Sequence, residues 1–416
     1  MKTINKFDKC FRIVGLYFII LYPIINSVFI NSFPQIHKLV KLIELFMIFI
    51  IFMNILMIKP KLFISISFVY LLVVVIELFL RGNSEFTYFF KDIILNSYLV
   101  VLVILNFDKV EEFEKTFINV CLLAILILGL SVFINIENYT EITGNWLGYQ
   151  VLLPYLFIEY YVIGLRKYNI KYLFALIVGL LLLFLGGTRT PLLLSVILCV
   201  ILVLLNLFRI NKKYFCMFLI IIFISGLLFF PAMRILDGYL LSNGIVIRLI
   251  HLFADLNINA FFNFSGRIQL FYVPSIMLIL SKPILGYGLG MDQINLCESI
   301  TKKSCSIEVA HGYYSHNIVL EIFQELGLIF GLIVIITIII LIIYLFRKNK
   351  KFAYPLLFSA LLPLLISSSW FTYMPFWIFI SYSVISIRND FEMINKFNIL
   401  KNKLVSFFKF KNYVGN

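Results

Sequence analysis

Apolar runs of about 20 residues recur along the chain, and this is the length that an α-helix needs to cross a bilayer. Hydrophobic residues make up 62% of the sequence and charged residues only 13%. The first run lacks a small-residue cleavage site, so it is interpreted as a membrane anchor and not as a signal peptide. We predict an all-α polytopic membrane protein, with residues 1–416 forming a single integral membrane domain. The sequence predicts about twelve transmembrane helices, at residues 12–30, 42–58, 62–80, 87–106, 117–135, 147–164, 170–186, 190–208, 214–232, 318–346, 352–368 and 372–387.

The distribution of basic residues predicts how these helices are oriented. With the N-terminus in the cytoplasm, 24 of the 35 Lys and Arg residues fall in cytoplasmic flanks and loops. This is the positive-inside bias of a cytoplasmic membrane protein whose two ends are both cytoplasmic. The net charge of +14 therefore reflects membrane orientation and gives no reason to expect nucleic acid as a partner.

One connection is much longer than the rest. Residues 233–317 form a long extracytoplasmic loop, and long loops in compact domains are usually functional. Within it the apolar stretch 268–280 is too short to span a bilayer comfortably and contains Pro274. We predict that this stretch is a short re-entrant or interfacial helix. A functional site is expected in this loop.

Two arginines stand at predicted outer helix ends. Arg189 follows a Gly-Gly turn, and Pro191 suits the first turn of the next helix. Arg267 precedes the short apolar helix, where the helix N-terminus adds partial positive charge. Arg189 alone could equally be a lipid-headgroup anchor, and Arg267 alone a solvated first-turn charge.

Two of the four histidines lie five residues apart at the mouth of a predicted span. His316 is followed by Asn317 at the start of that span, and Glu321 and Glu325 share one helical face. The other histidine, His311, lies in the preceding loop. A single interfacial histidine is more often a structural residue satisfied by a neighbour.

The shared position of these residues on the outer side favours a functional interpretation. Arginine holds phosphate through paired, charge-assisted hydrogen bonds. A neutral imidazole can take a proton from a sugar hydroxyl near pH 7. Arg189, Arg267 and His316 together would therefore suit a lipid-linked diphosphate and a hydroxyl acceptor.

Three ordered motifs resemble the O-antigen ligase and O-antigen polymerase superfamily of bacterial envelopes. They are "GGTRTPLL", "SGRIQLF" with "KPILGYGLG", and "HNIVLEIFQELGLIFG". The last resembles the family pattern of His, a small polar residue, nine residues and then Gly, here His316, Asn317 and Gly327. Phe330 stands where a further small residue is usual, which weakens the match to ligases in particular. The resemblance covers about 186–332 by motif and the whole chain by topology.

This resemblance implies a membrane-embedded glycosyltransferase whose donor is an undecaprenyl-diphosphate-linked glycan. Arg189 and Arg267 would bind the diphosphate, and His316 would be the general base, with Asn317, Glu321 and His311 in supporting roles. The implied reaction is inverting, metal-independent and without a cofactor. The residues agree in having no DxD pair, and we expect no clustering among the outer-loop acids Asp237, Asp255, Asp292, Glu298 and Glu308.

The favoured function is an envelope polysaccharide polymerase, for O-antigen or capsule, that uses a lipid-linked repeat unit as acceptor. A ligase that transfers glycan to lipid A-core is the alternative within the enzyme class. A lipid-linked oligosaccharide flippase or another transporter is the alternative of another class, with Glu77 and Glu159 as its intramembrane charges. A scaffold or receptor is a further alternative. A flippase and a chain-length regulator are expected protein partners, beside membrane lipids.

The six cysteines show no metal-binding spacing. Cys297 and Cys305 both fall in the long outer loop, where an oxidising compartment would permit a structural disulfide. The sequence leaves open whether they pair.

Overall fold

The computed structural model describes an all-helical protein, with no strand in the residues it covers. These residues are 2–32, 37–83, 86–134, 145–186, 188–210, 212–242, 268–310, 313–365 and 369–391. The helices are Lys2–Ser32, His37–Ile58, Pro60–Val75, Phe86–Ile93, Leu99–Leu105, Val110–Ile134, Asn145–Glu159, Ile170–Leu185, Arg189–Ile210, Lys212–Ser242, Val273–Ser281, Met291–Thr301, Ile307–Ala310, Ile318–Lys348, Lys350–Leu356 and 374–391. Wider π-helical turns extend or join several of them, at Ile76–Leu80, Ile94–Tyr98, Tyr160–Gly164, Ile268–Tyr272 and Leu357–Leu361, and a 3₁₀ turn covers Pro363–Leu365.

Within the described residues, each of the twelve predicted spans lies mainly in helix. Only some of these helices have the length and hydropathy expected of a membrane span. Within the described residues six helices do so: Lys38–Ile58, Pro60–Phe79, Phe86–Leu105, Val110–Phe133, Thr190–Phe208 and Ile318–Lys348. Ile170–Leu185 and Leu270–Ser281 are apolar but shorter. The protein is therefore an all-helical, multi-pass membrane protein, while the count of twelve and the orientation stay predictions. The helix at Lys212–Ser242 runs ten residues past the predicted end of its span.

The core is built from apolar faces of helices that are distant in sequence. Phe117 and Phe157 pack edge to face with ring centroids 4.7 Å apart, and Phe157 contacts Phe352 at 5.0 Å. Tyr382 stacks on Phe352 at 5.0 Å. Because the hydrophobic effect does not drive helix association inside a bilayer, such close packing and interhelical hydrogen bonds hold the helices together.

Hydrogen bonds between helix ends join segments that the charge pattern places on the same side. Asp108 forms ion pairs with Arg12 and Lys59, all three of which are predicted to be cytoplasmic. On the other side Arg81 binds the carbonyl of Leu285 at 2.8 Å, and both are predicted to lie outside. These contacts are what the predicted alternation of the spans requires.

Reporter fusions test this orientation. Fusions after residues 189, 290 and 310 are expected to report an extracytoplasmic location, because the basic residues concentrate on the opposite side. Fusions after 61, 168, 212 and 350 are expected to report the cytoplasm. Paired alkaline phosphatase and green fluorescent protein fusions provide the measurement. A cytoplasmic signal at 290 or 310 would move the site to the other side of the membrane and contradict the proposed mechanism.

Candidate functional site

The helix Ile318–Lys348 is broken at Gly327, and we call it the broken helix. Gly327 has φ 76° and ψ 175°, a conformation outside the helical region and in the range that favours glycine. A Cβ atom at this position would lie 2.2 Å from the carbonyl oxygen of Ile284. Gly327 is also the glycine of the quoted family pattern, so the pattern has a physical reason here. The break divides the helix into residues 318–326, which we call the outer segment after its predicted side of the membrane, and a longer segment, 328–348.

Residues 282–290, the glycine loop, supply the hydrogen bonds that the break removes. The Leu328 N–H donates to the carbonyl of Pro283 at 2.7 Å. In return the N–H of Tyr287 donates to the Gln324 carbonyl at 2.9 Å, and that of Gly288 to the Glu325 carbonyl at 3.0 Å. Non-helical backbone at membrane depth is tolerated only where protein or water satisfies it. The glycine loop therefore stabilises the break and holds the outer segment in contact with the loop.

A charged network at the end of an earlier span holds the glycine loop in place. Arg81 donates to the carbonyls of Leu285 at 2.8 Å and Glu325 at 3.2 Å, and to the Glu77 carboxylate at 2.8 Å. Glu77 also accepts the N–H of Leu289 at 3.0 Å. One of the two charges that motivated the transporter alternative is thus bound in a structural network.

His316 is held in a defined position at the outer end of the broken helix. Its φ is 51°, in the left-handed region that few residues other than glycine adopt, and such outliers concentrate at functional sites. The next residue caps the helix, because the Asn317 carboxamide oxygen accepts the Val319 N–H at 2.9 Å. The predicted helix start is correct, and the structure assigns the supporting residue Asn317 a capping role.

The imidazole of His316 contacts two aromatic rings. The ring of Tyr314 is 4.1 Å away between centroids, and that of Phe271 is 4.9 Å away in an edge-on arrangement. Phe271 belongs to the short apolar helix, four residues after Arg267 in the sequence. His316 is therefore packed against the first turns of the helix that Arg267 precedes.

The structure describes the predicted site residues unequally. Arg189 is the first residue of the helix Arg189–Ile210, as predicted, and its side chain lies outside the described features. Its neighbour Thr188 is buried against Gly148. Arg267 and His311 lie outside the described residues. Of the predicted trio, only His316 thus has a described side-chain environment.

Three buried carboxylates, which we call the acidic cluster, lie in the outer segment and beside it. Glu321 and Glu325 share one face, as their spacing predicts, and Asp292 of the helix Met291–Thr301 joins them. One oxygen from each of the three groups lies within 4.8 Å of the other two. The sequence showed no signal for Asp292, because the glycine loop brings it to the broken helix through tertiary contacts. Of the other predicted outer-loop acids, Asp237 and Glu298 do not belong to this cluster, while Asp255 and the side chain of Glu308 lie outside the described residues.

The environment of the acidic cluster differs from one carboxylate to the next. Glu325 accepts hydrogen bonds from the Gly290 N–H at 2.7 Å and from the Trp370 indole N–H at 2.8 Å. Glu321 accepts one from the Ser369 hydroxyl. Burial raises the pKa of the Asp292 carboxyl to about 7.

Cys297 and Cys305 form a disulfide with their Cα atoms 6.2 Å apart. The bond closes the end of the helix that carries Asp292. A disulfide suits an oxidising compartment, which agrees with the predicted outer location of this loop.

Thiol counting checks this pairing. Denatured, unreduced protein treated with a polyethylene glycol maleimide is expected to gain four tags, because four cysteines are free: Cys10, Cys121, Cys199 and Cys216. After reduction the count is expected to rise to six. A variant with both Cys297 and Cys305 changed to serine is the control and should give four tags under either condition. Six tags without reduction would show that the two cysteines are not paired.

Comparison with known proteins supports the resemblance noted in the motifs. The model of the family described as O-antigen ligase matches residues 174–336, a range that includes Arg189, Arg267, the glycine loop and His316. No curated protein and no solved structure matches the chain significantly. The match indicates glycosyl transfer of the O-antigen ligase and polymerase kind, in envelope polysaccharide synthesis. Over residues 174–336 this chain is therefore similar to the O-antigen ligase family, which confirms the predicted resemblance to the O-antigen ligase and polymerase superfamily.

Proposed function

We propose that this protein is an envelope polysaccharide polymerase. It transfers a glycan from an undecaprenyl-diphosphate carrier to a hydroxyl group of an acceptor repeat unit that is itself lipid-linked. The reaction takes place on the extracytoplasmic face of the bacterial cytoplasmic membrane. The proposal is supported by the family match and, in the structure, by the fixed position of His316 beside the short apolar helix.

His316 is proposed as the general base. The acceptor oxygen forms a bond to the anomeric carbon of the donor while the bond from that carbon to the diphosphate oxygen breaks. The hydroxyl proton passes to the imidazole, and the electron pair of the broken bond leaves with the diphosphate. A base must lie within hydrogen-bonding reach of the proton it removes, so a histidine in one fixed backbone conformation suits this role.

Arg189 and Arg267 are proposed to bind the leaving diphosphate. Their planar guanidinium groups can each form two parallel hydrogen bonds to phosphate oxygens and can stabilise the charge that develops there. In this scheme the transfer step itself needs no metal ion. The support for both arginines is their place in the motifs and at the outer ends of helices.

A ligase that attaches the glycan to lipid A-core is the second candidate, and the match to the O-antigen ligase family favours it. The two enzymes share donor and chemistry and differ in the acceptor. A flippase and a chain-length regulator remain the proposed protein partners in either case.

Gene deletion with display of the glycans on a gel separates the candidates. If the protein is a polymerase, the deletion strain is expected to show a single repeat unit in place of a ladder. Loss of all glycan attached to lipid A would instead identify a ligase. An unchanged ladder in the deletion strain would contradict both. Purified protein with lipid-linked repeat units then shows directly whether the repeat units are joined.

A further inference from the structure

The acidic cluster has more carboxylate oxygens than donors to satisfy them. Both oxygens of Glu325 accept hydrogen bonds, and one oxygen of Glu321 does. Both oxygens of Asp292 and the second oxygen of Glu321 are buried without a hydrogen-bond partner in the described residues. The Asp292 side chain is fully buried, and one of its oxygens lies within 4.8 Å of an oxygen of Glu321 and one of Glu325, so it faces the cluster.

Among the described residues, no basic side chain forms an ion pair with the acidic cluster. The ion pairs among the described residues involve other acids, and Arg81 reaches Glu325 only at its backbone carbonyl. Burying an uncompensated charge is costly, and buried charges are normally paired or bound to metal. Three buried carboxylates therefore favour a positive charge supplied from outside the described residues.

We propose that the acidic cluster binds one divalent cation of the oxygen-preferring class. Carboxylate oxygens are the ligands that Ca²⁺ and Mg²⁺ prefer. Two oxygens that bind one Ca²⁺ at about 2.4 Å can lie up to about 4.8 Å apart, whereas Mg²⁺ limits this distance to about 4.2 Å. The separations of the ligand oxygens, all within 4.8 Å, fall inside the limit for Ca²⁺.

The cation would join two elements that the glycine loop connects. Asp292 belongs to the helix Met291–Thr301, while Glu321 and Glu325 belong to the outer segment of the broken helix. A bound cation therefore ties the disulfide-closed helix to the segment that presents His316. This role is structural and separate from the transfer chemistry, in which the arginines meet the diphosphate charge.

Calcium binding to the purified full-length protein tests the proposal. Protein in detergent is extracted with excess EDTA, exchanged into metal-free buffer and titrated with Ca²⁺ or, separately, Mg²⁺. Calorimetry and tryptophan fluorescence are followed, because the Trp370 indole bonds to Glu325. We expect one Ca²⁺ per chain, weaker binding of Mg²⁺, and a thermal unfolding midpoint that rises by several degrees with Ca²⁺.

Two variants and a control locate the site. Asp292→Asn and Glu321→Gln keep the shape of each side chain and are expected to weaken Ca²⁺ binding at least about 10-fold. Glu111→Gln, an exposed carboxylate in the first turn of Val110–Ile134, is expected to bind like the wild type. Absence of saturable binding and of any thermal shift in the wild type would overturn the proposal, even if a variant failed to fold. So would Asp292→Asn protein that binds Ca²⁺ with unchanged affinity. Because the readouts are binding and stability, failure here leaves the proposed glycosyl transfer untouched, and loss of transferase activity alone would not affect this proposal.

Discussion

Replacing His316 with alanine is expected to abolish visible polymer while the protein stays in the membrane at its normal level. Removal of a general base usually costs about 10²–10⁴-fold in rate. The measurement is polymer formation by purified protein from lipid-linked repeat units, beside the glycan ladder of a complemented deletion strain. Full activity of the His316→Ala protein would show that the imidazole does not perform the proton transfer.

Two control variants separate chemistry from backbone conformation. His316 adopts a φ of 51°, and asparagine tolerates this region well, so His316→Asn should keep the local fold but lose activity. His311→Ala should retain polymer, although its length could change, because His311 is assigned only a supporting role. Activity lost in His311→Ala but kept in His316→Asn would exchange the two roles.

Lysine at either proposed diphosphate-binding arginine is expected to remove most of the activity although the charge is kept. Lysine is a point donor and cannot reproduce the planar, two-point contact of a guanidinium. Loss of one such contact in a water-poor site is worth about 3–4 kcal/mol of barrier, or about 10²–10³-fold in rate. The rates of Arg189→Lys and Arg267→Lys are compared with wild type in the reconstituted reaction.

The matched control is Arg347→Lys at the exposed C-terminal end of the broken helix, which is predicted to be cytoplasmic and where the rate should not change. Excess EDTA present only during the assay should not lower the rate, because the arginines would carry the diphosphate charge. If both lysine variants complement a deletion strain at normal protein level, the arginines are lipid anchors instead. A strict demand for added divalent metal would equally contradict the proposed transfer step.

The helical class and the start of the broken helix at Ile318 could be predicted because they depend on local pattern. The apolar runs predicted where helices lie. The capping position of Asn317 follows from a polar residue that precedes an apolar run. The 3.6-residue period also placed Glu321 and Glu325 on one face. Such features need only neighbouring residues and the geometry of one helix.

The break at Gly327 in the broken helix and the third carboxylate of the acidic cluster, Asp292, could not be predicted in this way. Gly327 lies in an apolar stretch where a glycine is ordinarily tolerated, and its non-helical conformation depends on hydrogen bonds from the glycine loop about 40 residues earlier. Asp292 is likewise brought to the acidic cluster by that loop. The Glu77 network shows the same limit. A charge in an apolar run suggested transport, while one partner of that charge, the Leu289 N–H, lies far along the chain.

The break at Gly327 also isolates the site from the thickness of the membrane. In a continuous helix each added residue turns the far end by about 100° and moves it by about 1.5 Å. The glycine loop holds both the outer segment and Leu328, so a tilt of the helix beyond Leu328 in a thinner or thicker bilayer need not rotate His316. The same separation lets the membrane-crossing part gain or lose residues over evolutionary time while the orientation of the reacting group is preserved.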